Sequence, residues 1–171
     1  MMRAVDSMRR MRALAGAGIV AVAAASVTPL SVAAAAGPFD GLEGVWTGDG
    51  MLTYATGTQE RLSCRVQYVQ SNPNNLQQAL RCAADSYNFQ INAYFDSANG
   101  RLSGNWAELV NNVKGSVSGT VANGSIKGDL KGPGFNASLL VVTKGDRQTV
   151  NIQAPIEEIR AVSIEVRKAA R

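Results

Sequence analysis

Residues 59–84 read QERLSCRVQYVQSNPNNLQQALRCAA, and this stretch decides the fold. Two runs with strand character flank Ser71-Asn72-Pro73-Asn74-Asn75, a cluster of turn formers. A turn centred on Pro73 sets Gln70 against Leu76, Val66 against Leu80, and Cys64 against Cys82. Side chains alternate along a strand, so Leu62, Cys64, Val66 and Tyr68 share one face with Leu80, Cys82 and Ala84. Directly opposite residues lie close enough for a disulfide. The same register sets Arg61 against Asp85 on the outer face, which is favourable. It also sets Arg65 against Arg81, which is not.

The alternation continues on both sides of this hairpin. Trp46, Gly48, Gly50, Leu52 and Tyr54 share a face. So do Tyr87, Phe89, Ile91, Ala93 and Phe95, then Leu102, Gly104 and Trp106, then Val113, Gly115, Val117, Gly119 and Val121. Ile126–Leu130, Phe135–Val141, Val150–Ala154 and Val162–Val166 repeat the pattern. Strands with one wet face imply antiparallel sheet. Asn99-Gly100 and Asn123-Gly124 are hairpin turns, Gly132-Pro133-Gly134 is a breaker, and Lys144-Gly145-Asp146 is a tight loop. Asp85-Ser86 separates the cysteine hairpin from the Tyr87 strand, and one short helical turn fits Pro155–Ile159. The expected fold is all-β, an antiparallel up-and-down meander of about 8–10 strands closed into a barrel. A two-sheet sandwich is the alternative. An outer-membrane barrel needs longer strands and aromatic girdles. Aromatics are only 6% of this chain, which argues against one.

Residues 1–36 read as a secretory signal peptide. Arg3, Arg9, Arg10 and Arg12 form a basic start, an Ala/Val/Gly-rich run follows, and Ala34-Ala35-Ala36 offers a cleavage site before Gly37. Retention of the apolar run as a membrane anchor is the other reading. No Cys follows that run, which excludes a lipoprotein anchor. The segment holds four Arg and one Asp of the chain's 17 basic and 13 acidic residues, leaving 13 and 12 and a net charge of +1. Net charge therefore gives no reason to expect nucleic acid or an anionic membrane surface as a partner, and no membrane span is expected after cleavage. Residues 37–171 are expected to form a single β-barrel domain, with room for one core.

Both cysteines lie in that domain, so a Cys64–Cys82 disulfide and a periplasmic or secreted location are expected. Closing a loop of this length contributes about 3 kcal/mol in the chain-entropy model. The chain has no histidine. That removes Ser-His and Cys-His nucleophilic catalysis and most zinc, copper and haem ligation. No P-loop, G-x-G-x-x-G or G-x-S-x-G occurs, and Gly115-Ser116-Val117-Ser118-Gly119 has Val at its centre. The expectation is a protein that is not an enzyme and holds no cofactor or metal. Asp49, Glu60 and Glu108 are the carboxylates to watch, since a glycosidase needs two placed together. Asp96-Ser97-Ala98-Asn99-Gly100 lacks the later Glu of a calcium loop and reads as a turn.

Gly44-Val45-Trp46, preceded by Phe39 and Leu42, resembles the start of lipocalin- and avidin-type barrels, the calycin group. The resemblance covers about ten residues. It implies that Trp46 plugs one end of the barrel and that a late Arg, Arg160 or Arg167, packs on it. The same start also resembles that of bacterial periplasmic metalloprotease inhibitors, which are small exported barrels with a disulfide. That resemblance implies a reactive N-terminal segment, here Gly37-Pro38-Phe39-Asp40.

Glycines on the apolar faces admit two readings. They open a cavity lined by Trp46, Tyr54, Tyr68, Phe89 and Trp106, with Gly115 and Gly119 making the room. Alternatively, they permit sharp coiling or sit beneath the Trp rings. Arg65 and Arg81, with Arg101, form a candidate anion site. The leading functional expectation is binding of a small apolar or amphipathic ligand, and the second is binding or inhibition of another envelope protein.

Overall fold

The computed structural model describes residues 37–155 and 158–170. Ten strands follow one another: β1 (Gly44–Tyr54), β2 (Gln59–Asn72), β3 (Asn75–Ala83), β4 (Asn88–Ala98) and β5 (Arg101–Glu108), then β6 (Val113–Ala122), β7 (Ser125–Gly132), β8 (Phe135–Lys144), β9 (Arg147–Gln153) and β10 (Ile159–Lys168). Each pairs antiparallel with the next, and β1 pairs with β10. The sheet is a closed barrel, not a sandwich. Closure leaves no edge strand to recruit a stranger.

The turns follow from their residues. Asn99-Gly100 and Asn123-Gly124 have positive φ at both positions, at 52° and 75° and at 50° and 73°, as tight hairpins require. Pro133-Gly134 places the left-handed residue second, where Gly tolerates it. In the cysteine hairpin, Val66 faces Leu80 and Gln70 faces Leu76 as expected. The turn itself differs. Asn72 pairs with Asn75 around Pro73-Asn74, and Ser71 is the extra residue that restores the register below it. Arg61 does not meet Asp85, because β3 ends at Ala83. Arg61 lies opposite Met51 and reaches Asp49 at 3.6 Å, an exposed pair worth little. The helical turn expected at Pro155–Ile159 includes residues 156–157, which lie outside the described residues, as does the segment 1–36.

Inward positions are apolar and outward positions polar. β7 shows this plainly, with Ile126 and Leu130 inside and Lys127, Asp129 and Lys131 exposed. A lipid-facing barrel has the reverse arrangement. Among the described residues no helix is long and apolar enough to cross a membrane. Cys64 and Cys82 are buried, directly opposite and joined, with Cα atoms 4.2 Å apart. An oxidising location suits such a bond.

One end of the barrel is sealed. Phe39 is 0% exposed and Leu42 5%, so residues 37–42 fold under the barrel as a plug. The segment Gly37–Asp40 is anchored to the base through Phe39 and does not project as a free arm. Trp46, also fully buried, donates its indole N–H to the Leu42 carbonyl at 2.8 Å and meets Tyr68 edge-on. The cation over Trp46 is neither Arg160 nor Arg167. Lys168 Nζ lies 5.6 Å from the ring centroid and donates to the Gly41 carbonyl at 2.8 Å. Lys168 is the residue opposite Trp46, and its long stem reaches the ring from the barrel's lip. Arg167 points outward to Asp146 at 3.7 Å. Tyr68 donates to Gln148 at 2.8 Å, and buried Gln148 donates to Thr143 at 3.0 Å, so this polar chain is satisfied inside the plug. Burial pushes the Tyr68 hydroxyl pKa well up, against the opposing effect of the Gln148 bond.

Candidate functional site

Above the plug the barrel holds a cavity of about 710 Å³. Its wall comes from inward residues of strands on all sides. Val66, Leu80, Phe95, Leu139 and Val141 form the apolar body, and Gln78 adds one amide. The mouth is at the end carrying the 109–112 and 133–134 connections, where Asn111, Pro133, Gly134, Pro155 and Glu158 border it. Alternation explains the wall, because each strand sends every second side chain inward. The empty volume follows from the strand number, since a ten-strand barrel is wider than one whose side chains just fill it.

The mouth is aromatic. Trp106 and Phe135 lie 5.9 Å apart between ring centroids, and Tyr87 and Phe89 lie 6.2 Å apart. Trp106 donates its indole N–H to the Ser116 carbonyl at 3.1 Å, which fixes the ring. Glu108 organises the neighbouring loop. Its carboxylate accepts the backbone N–H groups of Gln90 at 3.1 Å, Val110 at 2.9 Å and Asn111 at 2.6 Å. Partial burial works against the charge of Glu108, but the backbone donors outweigh it and hold the pKa below the usual carboxylate range. Tyr87 shifts the other way, raised by burial and then by the charges of Glu108 and Glu158.

The residues singled out from the sequence separate into two groups. Tyr68, Phe89 and Trp106 border the cavity. Trp46 lies in the plug below it. Tyr54 sits on the rim, where its hydroxyl donates to Glu60 at 2.7 Å. Ser86 adds its hydroxyl at 2.5 Å and its N–H at 2.6 Å to the same carboxylate, and these donors hold the Glu60 pKa down. Gly115 and Gly119 do not open the cavity. A Cβ on Gly115 would lie 2.5 Å from Trp106 Cζ2 and overlap the Lys131 carbonyl oxygen. One on Gly119 would overlap the Lys127 carbonyl oxygen and lie 2.7 Å from Cα of Gly128. These glycines let strands approach closely and let an indole lie flat.

Ile91, Phe95, Leu130 and Phe135 also line the cavity and were not among the candidates, and Glu108, expected only as a carboxylate to watch, lines it too. Inward parity marked the apolar four as interior. Nothing local distinguished a cavity wall from a filled core. Asp49, Glu60 and Glu108 do not form a carboxylate pair. Each has its own partners, namely Arg61, the Tyr54–Ser86 cluster and the 109–111 backbone. Asp96 accepts from the Asn75 side chain. No group of three potential metal ligands occurs among the described residues. Arg65 and Arg81 do lie opposite each other. Arg101 is remote from them, because Arg81 faces Gln90 near the start of β4 and Arg101 faces Ala98 at its end.

No protein-family model matches the chain, and no curated protein matches it in sequence. Solved structures do match in shape. Rv2717c from M. tuberculosis superposes with a TM-score of 0.59 at 14% identity, covering 78% of this chain and 98% of that one. The S-type phycobiliprotein lyase CPES from Guillardia theta superposes at 0.52 and 9% identity, covering 75% and 89%. Identities this low speak to the fold and leave function open. The chain shares with these structures the architecture of a small closed antiparallel barrel, here with ten strands, a plugged base and an open, aromatic-rimmed cavity.

Proposed function

We propose that this protein is an exported, non-enzymatic barrel that binds a small apolar or amphipathic molecule in its interior. The observation that carries the proposal is the cavity itself. Its volume of about 710 Å³ falls within the range of about 300–1,000 Å³ usual for small-molecule sites. Its walls are aliphatic and aromatic, and its few polar groups gather mainly at the mouth. That distribution suits a ligand whose apolar body enters first and whose polar end stays at Glu108, Asn111 or Glu158. A chain without histidine, in which Asp49, Glu60 and Glu108 each have partners of their own, suits binding better than acid–base chemistry. Export is supported by the signal-like residues 1–36 and by the disulfide. Cleavage after Ala36 would leave Phe39 and Leu42 in place to plug the base.

The two tryptophans give the test. Trp106 borders the cavity and Trp46 lies in the plug, so an apolar ligand reports through Trp106. Titration with a long-chain fatty acid should change the indole emission saturably, and Trp106→Phe should abolish that change. Native mass spectrometry of protein purified from its own host should show a retained small molecule. An emission that ignores every apolar ligand tried, together with a bare mass from the host, would sink the proposal.

A further inference from the structure

The Arg65–Arg81 pair belongs to a longer row that only the register reveals. Lys144 on β8 is opposite Arg147 on β9, and Arg147 is opposite Arg167 on β10. Arg167 is opposite Thr47 on β1, Thr47 is opposite Arg65 on β2, and Arg65 is opposite Arg81 on β3. All six residues are exposed. The row therefore sets five cations on one outer face, stepping across six adjacent strands. With strands about 4.8 Å apart, it runs roughly 24 Å around the barrel, perpendicular to the chain direction.

Folding gives no reason for this arrangement. Lys144–Arg147, Arg147–Arg167 and Arg65–Arg81 are like charges directly opposite each other, which is unfavourable. Among the described residues, only Arg167 of the five has a carboxylate within ion-pair distance, Asp146. The Arg65–Arg81 end of the row lies in a surface groove of about 680 Å³. Thr47, Ser63, Asn88 and Gln90 line the groove with hydroxyls and amides, and Asp49, which also lines it, pairs with Arg61.

We propose that this row is a binding track for a linear acidic polysaccharide, a polymer of uronate type. A cation on almost every strand matches a chain that carries a carboxylate on each sugar. Guanidinium forks grip carboxylates in pairs of hydrogen bonds. The flanking hydroxyls and amides suit sugar hydroxyls. A nucleic acid fits less well, because the row carries no aromatic side chain and Phe89, beside the groove, is buried and offers no face to a base. The track lies on the outer surface and does not depend on what the cavity holds.

The test is fluorescence anisotropy of a labelled oligogalacturonate titrated with the exported protein at low salt. The wild type should bind, and binding should weaken steeply as salt rises. Arg65→Gln/Arg81→Gln and Arg147→Gln/Arg167→Gln should each weaken it about tenfold or more. Both variants relieve like-charge contacts, so their melting temperatures should hold or rise, which separates lost binding from lost folding. Lys127→Gln/Lys131→Gln removes the same charge from the outer face of β7, off the row, and should bind nearly as the wild type does. Equal losses in all three variants would reduce the effect to net charge and overturn the track. Absence of binding, or tighter binding of single-stranded DNA than of oligogalacturonate, would overturn the polysaccharide assignment.

Discussion

Trp106 and Gly115 form one packing unit. They are opposite each other on β5 and β6, and the indole covers the space that a side chain at 115 would need. The obstacle at 115 is partly backbone, the Lys131 carbonyl, which cannot swing away as a flexible side chain would. Gly115→Ala should therefore destabilise by about 1–3 kcal/mol through overpacking. It should also disturb the mouth, because the Trp106 ring must move. Denaturant unfolding with Trp emission as the readout checks both effects, and an unchanged midpoint would contradict the account.

At the scale of the element, the β2–β3 hairpin is closed twice, by the turn at Pro73-Asn74 and by the Cys64–Cys82 bond. Its hydrophobic face alone would hold it only within the assembled barrel. Replacing both cysteines with Ala should cost about 2–5 kcal/mol. Thermal melts of the oxidised wild type and the double variant would show it. Thiol labelling of denatured, unreduced wild type should find no free thiol, and labelling of both cysteines would remove the bridge from the account.

At the scale of the whole molecule, the base is closed by residues outside the ten strands. Phe39 is fully buried in the same core as Trp46, Leu42 accepts the indole N–H through its carbonyl, and Lys168 ties Gly41 to the lip. Phe39→Ala should cost about 3–5 kcal/mol, typical of a large aromatic removed from a sealed core. It should also shift Trp46 emission to the red as water reaches the ring. A variant with wild-type stability and emission would mean that the barrel closes without its plug.

The strands, the glycine-bearing hairpin turns and the cysteine pairing were legible in the sequence because each is a local property, whereas the bulge at Ser71 was not. Alternation is a relation between i and i+2, and Asn-Gly and Pro-Gly select their turns from their own backbone preferences. Trp46 as a base plug was legible from a short resemblance at the start of β1. The Arg61 partner was not, because it turned on where β3 ends. The glycines were ambiguous for a related reason. Whether Gly115 faces empty space or an indole depends on Trp106 across the strand and on Lys131 beyond it. Only the closed tertiary structure decided the cavity, because its volume comes from the number of strands around the axis rather than from any one of them. It also decided the cationic row. Arg65, Arg81, Lys144, Arg147 and Arg167 are scattered along residues 37–171, whose net charge is only +1. They meet because antiparallel register carries each strand's charge to the same height on the barrel wall.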